Sequence, residues 1–104
     1  IPAAADQEDF VSMGMNSSLK TRQIINNAHG ILGIELIAAA QALDFRKHCF
    51  GKGVQAGHRA VLEIVEHLSE DRPLFTDHNN MMQAVKDLHI LKAVEAEVGP
   101  LKIY

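Results

Sequence analysis

Residues 31–43 read Ile-Leu-Gly-Ile-Glu-Leu-Ile-Ala-Ala-Ala-Gln-Ala-Leu and are apolar everywhere except Gly33, Glu35 and Gln41. As a helix, this run is apolar on every side, and such a helix has to be covered on every side. At 1.5 Å per residue it forms a rod about 20 Å long. The remaining chain offers two further amphipathic helical stretches, which cover only part of the rod. What they leave is an exposed apolar patch unless more polypeptide packs on it, either another part of the same protein or sister subunits. The alanines at 38, 39, 40 and 42 suit close packing in a multi-helix core. The run falls short of the roughly 20 residues a membrane span needs, so a soluble protein without a membrane partner is expected.

Helical signals dominate the rest, and no hairpin turn stands between alternating apolar residues. A first helix is expected over about 17–46, with Asn16, Ser17 and Ser18 as capping candidates. The stretch 50–53 reads as a loop. A second helix is expected over about 54–69, where Val54, His58, Val61, Val65 and Leu68 form one apolar stripe. Asp71-Arg72-Pro73 ends it, because the residue before a proline leaves the helical region. A third stretch runs from about 77 to 98, with a break near Asp87, Thr76 or Asp77 as its cap and Gly99-Pro100 as its close. The expected class is all-α, a helical bundle formed by one segment, 1–104.

The net charge of −3 gives no reason to expect a nucleic-acid partner. Charge is unevenly placed: the first ten residues and the stretch from 63 onward are acidic, whereas 11–62 is basic. This suits solvated helix faces or complementarity between halves or subunits. The chain starts Ile1-Pro2 without a methionine and without a signal peptide, which reads as a piece of something longer or a processed product. A single cysteine rules out an internal disulfide framework and fits a reducing, cytoplasmic setting.

Few residues offer chemistry. The six histidines show no metal-binding spacing, so no metal is expected. His58, on its apolar stripe, reads as a hydrogen-bonded core residue. Cys49, beside His48 and near Lys47 and Lys52, reads as an inert buried thiol, and Met13, Met15, Met81 and Met82 read as core filling. Glu8 and Asp9 are adjacent carboxylates ahead of the first helix. Two readings stay open: they favour the positive end of that helix, or a partly covered carboxylate serves as acid, base or ligand anchor.

Three ordered motifs carry a resemblance. Gln7-Glu8-Asp9-Phe10-Val11-Ser12-Met13-Gly14 is similar to the QEDHVSMG signature of histidine ammonia-lyases. The stretch 34–46, Ile-Glu-Leu-Ile-Ala-Ala-Ala-Gln-Ala-Leu-Asp-Phe-Arg, resembles the AIELLAAAQ-LD-R helix of the same enzymes, and Asp71-Arg72-Pro73-Leu74-Phe75-Thr76-Asp77 resembles their DRPL-x-x-D segment. The chain thus looks like the C-terminal portion of an aromatic amino-acid lyase.

The resemblance implies a helical homotetramer with a long central bundle and active sites shared between subunits. It implies elimination of ammonia from L-histidine to give trans-urocanate by means of a methylidene-imidazolone electrophile made from an internal Ala-Ser-Gly. That tripeptide is absent from this sequence, so the electrophile is expected in an N-terminal part, and the chain alone is expected to be inactive. By position, Glu8 matches the catalytic and substrate-binding glutamate near the imidazole. Gln7 matches a neighbouring amide with a supporting role in substrate binding. A carboxylate can hold or deprotonate an imidazole N–H, whereas beside a phenyl ring it is an unpaired burden. Phe10 stands where histidine-type members usually have histidine, which leaves open a lyase or aminomutase acting on another aromatic amino acid. A non-catalytic helical self-association module is the reading from a different class.

Overall fold

The computed structural model describes residues 12–102. These form four helices in the order α1 (Gly14–Asp44), α2 (Lys52–Leu62), α3 (Phe75–Lys86) and α4 (His89–Val98), with no strand among the described residues. The all-α expectation holds.

The helix ends differ from the sequence reading for local reasons. α1 starts at Gly14 after Met13, and no side chain caps it. Nearby hydroxyls turn back onto the helix instead: Ser18 Oγ donates to the Gly14 carbonyl and Thr21 Oγ1 to that of Ser17, each at 2.8 Å. α2 begins inside the expected loop, at Lys52, and stops at Leu62 rather than near 69. Beyond it, Leu68 bonds through both its backbone groups to the Gln41 side chain, and the Arg72 guanidinium bonds the Glu66 carbonyl. Tertiary bonds thus replace the i to i−4 ladder. α3 starts at Phe75, before the proposed caps Thr76 and Asp77, and follows Leu74.

The break near Asp87 is real, and it turns on Leu88. This residue has φ 58°, the one positive φ among the described non-glycine residues. A left-handed L-residue costs roughly 1–2 kcal/mol. Leu88→Gly is therefore expected to raise stability by up to about 1 kcal/mol, read as a higher midpoint of thermal unfolding. α4 ends at Gly99, with φ 82°, as the Gly-Pro pair predicts.

α1 packs chiefly on α3, and α2 on α4. The core consists of Ala40, Val61, Val65, Met81 and Ala84, flanked by Leu36, Ile37, Ile64 and Ile90, with Met81 fully enclosed. α1 and α3 approach closely at Gly33, where an added Cβ would lie 3.2 Å from the Met82 backbone nitrogen. Of the four methionines read as core filling, Met81 fits; Met15 does not, being 75% exposed on the uncovered start of α1.

The four helices do not enclose α1. Every residue from 14 to 28 is exposed. Farther along, Ile31 and Ile34 remain more than half exposed, while Gly30, Gly33 and Ala40 are buried. The radius of gyration is 19.7 Å and the longest extent 66 Å, against about 13 Å for the radius of a compact 100-residue domain. The apolar rod is covered on one side by this chain and bare on the other.

Candidate functional site

Glu8 and Gln7, the site residues expected from the sequence, lie outside the described residues. Three polar centres are found among the described residues.

The first lies at the C-terminal end of α1. Gln41 and Asp44 are three residues apart and so share a helix face. His58 Nε2–H, from α2, donates to Asp44 Oδ1 at 2.7 Å. His67 Nδ1–H, from the segment after α2, donates to Asp44 Oδ2. The Gln41 amide is fixed from both ends: it accepts from the Leu68 backbone N–H and donates to the Leu68 carbonyl, both at 3.0 Å. Its nitrogen also lies 3.4 Å from His67 Nε2, which completes one tautomer of that ring: Nδ1 donates and Nε2 accepts. Phe45 meets the His67 ring edge-on, with 5.9 Å between centroids.

The hydrogen bond from His67 is the largest influence on the Asp44 carboxyl and holds it below the usual carboxylate value of 3.8; partial burial opposes this, and His58 adds to the lowering. The folded value thus lies below the unfolded one. The stabilisation is complete above the ordinary carboxylate range and is lost only as pH falls through the folded value.

The second centre is Arg72. Its Nε donates to Asp77 Oδ2 at 3.0 Å and its Nη2 to the Glu66 carbonyl at 2.8 Å. The third is His78, whose Nε2–H donates to the Gly30 carbonyl at 3.0 Å and ties α3 to α1. His29 Nδ1 is buried without a hydrogen-bond partner among the described residues.

Two apolar hollows flank α1. One, of about 260 Å³, is lined by Ile34, Ile37, Ala38, Val65, Leu68 and Leu74. The other, of about 360 Å³, is lined by Leu32, Leu36, Ala39, Val85, Leu88 and Leu91. Of the four polar residues lining the first, Gln41, Arg72 and His78 are already bonded elsewhere, and Glu66 is the fourth. Neither hollow brings a nucleophile and a base together.

The structure corrects one further expectation: Cys49 is exposed rather than buried, because the irregular stretch from Phe45 to Cys49 lies wholly at the surface. His58 is hydrogen-bonded as read, but it is not a core residue: its side chain on α2 is 24% exposed. Sequence reasoning missed Asp44, its partner. The i, i+3 spacing of Gln41 and Asp44 was the available signal, but the two histidines arrive from elsewhere in the chain.

Among the described residues, no three His, Cys, Asp or Glu side chains are placed to hold a metal ion, and no helix is long and apolar enough to cross a membrane.

The helical segment, with its long α1 and the three motifs read from the sequence, agrees with comparison to known proteins. The aromatic amino acid lyase family model matches residues 1–67, and the chain belongs to that family. Its relatives narrow the class. It is 43% identical over 102 residues to the histidine ammonia-lyase of Sorangium cellulosum, covering 97% of this chain and 20% of that protein. It is 40% identical over 102 residues to the histidine ammonia-lyase of Gloeobacter violaceus, with the same coverage. With the histidine ammonia-lyase of Myxococcus xanthus it shares 43% identity over 97 residues, 92% of this chain and 19% of that protein. The chain spans about one fifth of the length of the curated relatives it matches. No solved structure matches it.

Proposed function

We propose that this chain is the C-terminal part of a histidine ammonia-lyase subunit, which eliminates ammonia from L-histidine to give trans-urocanate. The observation that carries the reading is identity of about 40%, spread over almost the whole chain, to proteins of that name.

Within this chain, Glu8 has the chemistry to select the substrate. Its carboxylate accepts from, or deprotonates, an imidazole N–H and fixes the ring. Gln7 supplies an amide donor and acceptor beside it. The family's methylidene-imidazolone would supply the electrophile that activates the amine. Without an Ala-Ser-Gly in its sequence, this chain cannot make that group, which falls to an N-terminal part of the protein. The fragment alone is therefore inactive.

The bare side of α1 supports assembly with the N-terminal part and with sister subunits into a cytoplasmic homotetramer. Exposed apolar side chains recur along it from Leu19 to Ile34, and covering them contributes about 25 cal/mol for each Å² of apolar surface taken out of water. A self-association module would account for this face, but not for the identity to lyases.

Phe10 favours a second substrate arm, a lyase or aminomutase for another aromatic amino acid. The full-length protein, incubated with L-histidine, is expected to show growing urocanate absorbance and to sediment as a tetramer. A tetramer that leaves histidine untouched and deaminates tyrosine or phenylalanine would overturn the histidine assignment.

A further inference from the structure

The proposed reaction rests on Glu8 and Gln7 and assigns no step to the Asp44 centre, which joins three separate stretches of chain. We infer that Asp44, His58, His67 and Gln41 form a clasp that sets the position of α2 and of residues 63–74 on the C-terminal end of α1.

The geometry is specific. One carboxylate receives an N–H on each oxygen, from imidazoles nine residues apart in sequence. Its side chain is 18% exposed, and those of His58 and His67 are 24% and 40% exposed. The two histidines are its only ion-pair partners among the described residues. Two bonds to one charged acceptor restrain each other, since either imidazole holds the carboxylate in place for the other. Gln41 adds the third point. Pinned by Leu68, its amide nitrogen faces His67 Nε2 and requires that atom to accept.

The clasp extends along the chain. From Leu68 it is four residues to Arg72, whose guanidinium closes the same segment by bonding the Glu66 carbonyl and Asp77. The connection between α2 and α3 has no helix of its own. Its place is set by the burial of Val65 in the core and by these side-chain bonds, among which His67 ties it to Asp44.

Asp44→Asn replaces two acceptor oxygens with one acceptor and one donor. His58 can present an unprotonated Nε2 to the new amide, but the charge that strengthens both bonds is gone, so the hold on His67, and through it on 63–74, weakens. Hydrogen–deuterium exchange of the full-length protein at neutral pH tests this. In Asp44→Asn, exchange over 63–74 is expected to rise about tenfold or more, the factor given by the weakest hydrogen bonds to charged groups. Exchange in α3 around Met81 is expected to stay unchanged. Adding His67→Gln to Asp44→Asn is expected to cause little further rise, because both substitutions open one device. Unchanged exchange over 63–74, or effects that simply add, would overturn the clasp. If Asp44→Asn does not accumulate as folded protein, His67→Gln alone serves: it keeps the carboxylate and His58, and the same local rise is expected, with its absence again overturning the proposal.

Discussion

Replacing Glu8 by glutamine in the full-length protein is expected to lower histidine turnover by about a hundredfold or more while the tetramer persists. Glutamine keeps the size and one acceptor oxygen but gives up both the charge and the capacity to take a proton. General acid–base groups typically contribute 10²–10⁴-fold, and hydrogen bonds to an ionised partner are about twice as strong as neutral ones. Steady-state kinetics on L-histidine, with sedimentation of the same preparation, measures both parts. An unchanged rate removes Glu8 from the site. A rate that falls for histidine but rises for a phenyl substrate assigns it to ring selection.

The largest expected effect on stability comes from Met81→Ala. Met81 is the one side chain with no exposed surface among the described residues, and it sits where α1, the turn after α2 and α3 converge. Truncating a buried methionine to alanine costs about 2–5 kcal/mol, because transfer energy is lost and the cavity collapses only in part. Gly33 sharpens the expectation: α1 and α3 are already so close there that an added Cβ would lie 3.2 Å from the Met82 backbone nitrogen, which leaves the helices little room to close on the void. Met81→Leu, close in volume, is expected to cost less than about 1.5 kcal/mol. A comparison of the two unfolding midpoints separates a packing loss from a general intolerance of substitution.

The sequence made the helices legible, along with the need for outside cover. The apolar run 31–43 implied a helix that its own chain could enclose only in part, and Ile31 and Ile34 stand in the open as a result. The break at Asp87 and the stop at Gly99 were legible because glycine, proline and a short polar turn act locally. What stayed hidden depended on contacts across the chain. The early end of α2 follows from Gln41 capturing Leu68, and no periodicity in 54–69 encodes that bond. Residue type alone places Met15 and Cys49 in the interior, whereas their positions in the fold expose both. Likewise, Glu8 and Gln7 came from motif resemblance, because two acidic neighbours before a helix do not by themselves distinguish a capping role from catalysis.

The bare opening turns of α1 also bear on how such a protein survives in a cell. Leucine and isoleucine side chains held in water are what chaperones and quality-control proteases grip. A polypeptide whose α1 finds its neighbours hides these handles, whereas one that is clipped or left unassembled displays them and is drawn toward clumping or destruction. Neighbouring polypeptide packed along this stripe would take those handles out of reach.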